Sequence, residues 1–153
     1  MINFNNDYTK DYTPEEDGFY GEIHAIEYDS NIINIEIWLN LQKVPNAKKI
    51  KKVLEKNVNK VLILKSINVE EEYQGKGYGS EMFEEMLNET YPEAIILLCD
   101  NENKQKNGFI LEKFYEGYDF KRVNSLNSPL MVYPEELADK ILNELKRKKR
   151  PKI

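Results

Sequence analysis

Hydrophobic residues in this chain change their period three times within about forty positions, and the changes outline one structural unit. "KVLILKSINV" (60–69) is almost continuously apolar, the pattern of a strand buried on both faces. "YQGKGYG" (73–79) follows, with glycine in every second place from Gly75. Met82, Phe83, Met86 and Leu87 then recur at helical spacing and predict a helix from about Ser80 to Thr90. Pro92 separates it from "AIILLC" (94–99), a second buried strand. Strand, loop, helix and strand in this order predict a βαβ unit with parallel strands.

Upstream, "GFYGEIHAIEY" (18–28) and "IINIEIWLN" (32–40) flank the turn-rich Asp29-Ser30-Asn31 and read as a β-hairpin. Its register would set Ile23, Ala25, Ile33, Ile35 and Ile37 on one face and Glu22, His24, Glu36 and Trp38 on the other. "PNAKKIKKVLEKNV" (45–58) holds Ala47, Ile50, Val53 and Leu54 in helical register beneath a lysine-rich outer side, read as a solvated face. Residues 1–17 are polar and predicted to be loosely ordered. Downstream, "NGFILEKFYEGY" (107–118) predicts a short helix, "FKRV" and "PLMVY" two strands, and "PEELADKILNELKRKK" a closing helix. Without repeats or a linker, residues 1–153 read as a single α/β domain ending in a basic tail, 146–153.

Charge changes this picture by its distribution. The net charge is −5, but "KRKKRPK" (146–152) carries six Lys or Arg, so residues 1–145 carry −5 − 6 = −11. An acidic body favours cationic ligands such as amines, while the basic tail is the place where nucleic acid would touch. One cysteine, Cys99, excludes an intramolecular disulfide and fits a reducing compartment. The longest apolar run, six residues at 94–99, is far short of the ~20 needed for a membrane span. The polar N-terminus lacks the pattern of a signal peptide. These features place the protein in the cytoplasm with no membrane partner; no metal site is expected.

Glycines that close a strand and open a helix present free backbone N–H groups at the positive end of a helix dipole, a site for phosphate. Lys76 stands too early for a phosphate-binding P-loop, and Gly75, Gly77 and Gly79 break the Rossmann spacing. "YQGKGYG" instead resembles the coenzyme A loop of the GNAT N-acetyltransferases, whose signature is Q/R-x-x-G-x-G/A, with Gln74, Gly77 and Gly79 at the matching positions. "KFYEGYDF" (113–120) is similar to that family's downstream aromatic segment, with Tyr115 and Phe120 at its tyrosine and phenylalanine. The resemblance covers about residues 60–133.

The resemblance implies a GNAT fold: a central mixed, twisted sheet flanked by helices, with an atypical N-terminal acceptor side and a C-terminal helix. It implies acetyl-CoA as cofactor and transfer of its acetyl group to a primary amine by direct attack. Main-chain groups near Ile67 and Val69 would pair with the pantetheine arm. Amides of Gly75, Lys76, Gly77, Tyr78, Gly79 and Ser80 would wrap the pyrophosphate, with Gln74 at the loop entrance and Asn107 nearby. Tyr115 would protonate the leaving thiolate. From the residues alone, Tyr115 suits an aromatic core, His24 a semi-exposed strand, Asn107 a helix N-cap and Cys99 a buried small hydrophobe.

The chain departs from the family in three places. Val61 to Val69 contains no carboxylate to act as base, which leaves Glu22, His24 or Glu36 through the hairpin register, or water. Asp119 stands where the family has a glycine, in a turn expected to have positive φ. The polar residues 1–17 are too short for the family's acceptor lid of two helices, and the lysine helix falls between strands instead. The acceptor amine is therefore unassigned: a small cationic amine, or a protein or peptide amine. Two alternatives are an acyl-CoA-binding regulatory module without catalysis and a nucleic-acid-associated acetyltransferase acting on aminoacyl-tRNA. A homodimer is left open.

Overall fold

The computed structural model of the protein describes residues 6–101 and 110–147. The chain runs β1 (Asn6–Tyr12), β2 (Gly21–Asp29), α1 (Ile33–Leu41), α2 (Ala47–Asn57), β3 (Lys60–Val69), α3 (Tyr78–Thr90), β4 (Ile95–Leu98), α4 (Leu111–Glu116), β5 (Lys121–Arg122), β6 (Leu130–Tyr133) and α5 (Glu135–Lys146). Six strands form one sheet in the order β1-β2-β3-β4-β6-β5. Only β3 and β4 pair in parallel; the remaining ladders are antiparallel. The α/β architecture is thus a mixed sheet flanked by helices, closed by a C-terminal helix.

Strand alternation divides the apolar residues between two layers. On one side Val61, Ile63, Ile96 and Val132 pack against α1, α2 and α5 through Ile35, Leu39, Ile50, Leu54 and Ile141. On the other, Ile23, Leu62, Leu64 and Leu97 pack against α3 and α4 through Met82, Phe83, Met86 and Tyr115. The β3-α3-β4 unit expected from the hydrophobic periods is present, with Leu62, Ile63 and Leu64 opposite Ile95, Ile96 and Leu97. Asp119 takes φ 73°, the left-handed turn expected at that position.

Two upstream expectations are corrected. "IINIEIWLN" does not form the second arm of a hairpin, because β2 already has β1 on one edge and β3 on the other. With both edges taken, Ile33–Leu41 folds as α1 and buries Ile35 and Leu39, four residues apart, despite its β-branched composition. Ser30 starts this excursion, its hydroxyl donating to the Val58 carbonyl at 2.6 Å. Glu36 therefore lies on α1 and not on a strand beside Glu22 and His24. The chain does carry a helix pair, but α1 and α2 lie between β2 and β3 and not at the N-terminus.

Residues 6–12, expected to be loose, form edge strand β1. Tyr8 and Tyr12 pack into the α3-side layer. Lys10 lies between them in sequence and ion-pairs with Glu85 of α3, which also accepts from the Tyr12 hydroxyl at 2.9 Å. That pair lets a lysine occupy an inward strand position. Gly21 opens β2 where a Cβ would meet the Phe19 ring at 2.9 Å, the Asn68 carbonyl at 3.0 Å and the Met82 sulfur at 3.1 Å. Glycine there permits the close approach of β2, β3 and α3.

Candidate functional site

The site begins where β3 and β4 part. Their ladder ends at Leu64 opposite Leu97, yet β3 continues to Val69, five residues further. On its other edge β3 stays paired to β2, with a bulge: His24 faces Ser66 and Ala25 faces Leu64, so Lys65 is the extra residue. Parallel strands that separate in this way leave one run of β3 backbone without a strand partner on the β4 side. A cavity of about 560 Å³ occupies the gap. Its walls are Leu64 to Val69, the glycine turn, the start of α3, the end of β4, and α4 residues Leu111, Phe114 and Tyr115.

At one end of the cavity, Gly75 (φ 80°) and Gly77 (φ 86°) turn the chain through left-handed conformations into α3. The first helical bond runs from Glu81 N–H to the Gly77 carbonyl, and no side chain among the described residues caps this terminus. The amides of Tyr78, Gly79 and Ser80 thus have no acceptor within the helix, and the macrodipole adds positive potential. Gly79 is informative because its φ is ordinary and a Cβ there would meet nothing within 4 Å. Folding does not demand glycine at this helical position, where alanine is favoured by up to about 1 kcal/mol. The open space faces the cavity, as close approach by a ligand requires.

The remaining contacts hold this terminus in place. Gln74 donates its side-chain amide to the Val69 carbonyl at 3.0 Å, tying the loop back to the strand it leaves. Tyr78 stacks on Phe19 with centroids 4.1 Å apart, and Tyr73 meets Tyr78 edge-on. Of the residues expected at a cofactor, Ile67, Val69, Gln74, Gly75, Gly77, Tyr78, Gly79 and Ser80 line the cavity. Lys76 does not, and its ammonium lies 5.9 Å from the centre of the Tyr73 ring. Asn107 lies outside the described residues. Lys65, Ser66, Asn68 and Tyr73 also line the cavity; the signal for them was the length of β3, which outruns β4.

Tyr115 joins the cavity wall from α4, 3% exposed, with burial pushing its phenol above the ordinary range. The phenol therefore stays protonated at neutral pH and is a donor. Cys99 is fully buried and directs its thiol to the Asn101 side-chain oxygen at 3.1 Å. Burial pushes that thiol up to about 12, which removes it as a thiolate nucleophile at neutral pH. Asn101 also donates to Glu112 at 3.0 Å, and Arg122 grips Glu112 through two nitrogens, both at 2.7 Å. This bidentate pair fastens α4, and with it Tyr115, to β5.

His24 and Glu22 do share one face of β2, opposite Ser66 and Asn68 respectively. Glu22 accepts from the Asn68 side chain at 3.2 Å, and His24 places Nε2 3.4 Å from Asp7. Glu36 joins neither. Among the described residues no group of acids, histidines and cysteines is arranged to hold a metal ion, and no helix is long and apolar enough to cross a membrane.

No protein-family model matches this chain, and no curated protein matches it. Among solved structures, "The crystal structure of KacTA-DNA complex" is similar at TM-score 0.42 and 12% identity over 81% of this chain. The chain spans 64% of the length of that chain.

The Glu112 carboxyl is held below its ordinary range chiefly by the hydrogen bonds from Arg122. A lowered folded value stabilises the protein above the unfolded carboxyl's pKa and stops doing so as pH falls through the folded value. Glu112→Gln is expected to be less stable than wild type at pH 7 by about 1 kcal/mol. In urea melts the gap should shrink below about pH 4. A gap unchanged at pH 3 would contradict this role.

Proposed function

We propose that the protein is an acetyl-CoA-dependent N-acetyltransferase acting on a primary amine. One observation carries the reading: the uncapped start of α3, glycine-lined and open at Gly79, stands at the end of an unpaired strand edge that leads to a buried tyrosine. The three features suit three parts of one ligand. Amides of Tyr78, Gly79 and Ser80 bind a pyrophosphate. The β4-side edge of β3, with the backbone groups of Ile67 and the Val69 amide, takes a pantetheine arm as it would another strand. Acetyl-CoA supplies the activated acyl group. Tyr115 stands in the cavity wall and donates its proton to the departing sulfur. The resemblance of "YQGKGYG" and "KFYEGYDF" to the GNAT N-acetyltransferases supports the same assignment.

A second reading places the acceptor amine on a nucleic acid. It is favoured by α2, where Lys48, Lys52 and Lys56 are exposed four residues apart and form no ion pair among the described residues. Such a row suits a phosphate backbone. In that case association with single-stranded RNA weakens steeply with salt, and replacing the three lysines by glutamine flattens the slope. Salt-independent or absent binding speaks against it.

The primary reading is tested by calorimetric titration of wild type and Gly79→Val with acetyl-CoA, with NAD as control. Wild type is expected to bind acetyl-CoA at micromolar Kd and not to respond to NAD. Gly79→Val should lose at least tenfold in affinity and still unfold cooperatively, since its side chain meets open space. Equal affinity in the two proteins would overturn the assignment of this helix terminus.

A further inference from the structure

The sheet face on the other side of β3 from α3 carries polar and titratable side chains from three neighbouring strands. β1, β2 and β3 present Asp7, Thr9 and Asp11, then Glu22 and His24, then Ser66 and Asn68 on the sheet face away from α3. Their inward neighbours Tyr8, Tyr12, Ile23, Ala25 and Ile67 pack toward α3. α1, α2 and α5 cover the same face further along, over Tyr28, Val61 and Ile63. This end is open: Asp7, Thr9, Asp11, Glu22 and Asn68 are all exposed.

Within it, His24 lies directly across from Ser66, the residue after the bulge and part of the cavity wall. Opposed antiparallel residues have Cβ atoms about 4.5–5.5 Å apart. A ligand with its pyrophosphate at α3 and its arm along β3 would bring its reactive end to this stretch of the cavity, which Tyr115 also lines. The His24 ring also has a carboxylate beside it. Nε2 lies 3.4 Å from Asp7 Oδ1, and the same oxygen accepts from the Thr9 hydroxyl at 2.6 Å. Asp7 sets a negative charge beside the ring but makes no hydrogen bond to it, which leaves an imidazole nitrogen lone pair open to a donor. Nδ1 forms no hydrogen bond among the described residues.

We propose that His24, beside Asp7, is the proton acceptor for a cationic amine bound over this open sheet face. The inference rests on the acetyl-CoA reading of the cavity and assigns its other side. His24 takes one proton from the ammonium on its unprotonated ring nitrogen and passes it to solvent. The freed lone pair forms the C–N bond as the C–S bond breaks. Tyr115 protonates the sulfur and is restored by the second proton that nitrogen loses, so the sum is R–NH3+ plus acetyl-CoA giving the amide, CoA and H+. Asp7 stands beside the ring, Asp11 and Glu22 carry further negative charge on the same sheet face, and Lys65 at the bulge is the one cation on β3 from Lys65 to Val69. A second cavity of about 580 Å³ meets the first at Asn68 and Val69 and is walled by Asp11, Glu22, Glu70 and Glu71. An amine with a further positive charge fits this surface better than a neutral one.

The test uses the full chain with spermidine as the probe amine and n-butylamine as the singly charged control. In one arm, the ring signals of His24, the only histidine, are followed by NMR while spermidine is added to the CoA-saturated protein. In the other, acetyl transfer is measured from pH 6 to 10 for wild type, His24→Gln and Asp7→Asn, beside their acetyl-CoA affinities. Expected are shifts of the His24 ring with spermidine exceeding those with n-butylamine. His24→Gln should cut turnover at least 100-fold and Asp7→Asn about tenfold, both with unchanged acetyl-CoA affinity. A ring that ignores spermidine, or turnover that survives His24→Gln, overturns the proposal. A wild type that fails to bind acetyl-CoA overturns the cofactor reading itself, a result visible in the affinity measurement alone.

Discussion

Everything about this site depends on one break in backbone pairing: β3 leaves β4 after Leu64 and runs on to Val69 without it. Backbone amides and carbonyls are obligatory hydrogen-bonding groups, and an open strand edge inside a fold invites another strand-like partner. The parting is stable because the other edge of β3 is fully occupied by β2, and because the Lys65 bulge twists the strand away from β4. Below the parting, Val61, Ile63, Leu62 and Leu64 are buried in both layers and fix the strand. The opening is therefore held by packing on one side and by pairing on the other.

The same break gives the cavity its polarity. Toward α3 it meets a helix start with unsatisfied N–H groups and no acidic cap among the described residues, which suits an anion. Toward α4 it meets a buried phenol kept protonated by its surroundings. Across β3 it meets an exposed sheet face rich in carboxylates, which suits a cation. Anionic and cationic ligands would thus approach β3 from opposite faces and meet near Ser66. A body of charge −11 would still be able to hold a phosphate there under the proposed reading, because the positive potential would come from aligned backbone groups and need few cationic side chains.

The central unit was legible because two different periodicities met at an unusual cluster of glycines. β3, α3 and β4 appeared where the apolar pattern placed them, and Asp119 adopted the positive φ expected of it. α1 was not legible, because its apolar residues do not mark the core. Ile33, Ile37 and Leu41 stay 56%, 49% and 72% exposed while Ile35 and Leu39 are buried, so the β-branched run mimicked a strand. β1 was hidden by Lys10, an inward-facing charge that only its pairing with Glu85, 75 residues away, makes acceptable. The Asp7–His24 pair followed from that strand, so it too was beyond reach of local pattern. Long-range pairing decided what sequence spacing left open.

Amide hydrogen exchange with and without acetyl-CoA addresses the parted strand most directly. Binding along the free edge of β3 and at the start of α3 predicts slowed exchange at Ile67 and Val69 and at residues 78–80, with little change in α2 and α5 on the opposite layer. Acetyl-CoA that binds without protecting these amides would contradict the reading of the β3–β4 opening as a coenzyme A cradle.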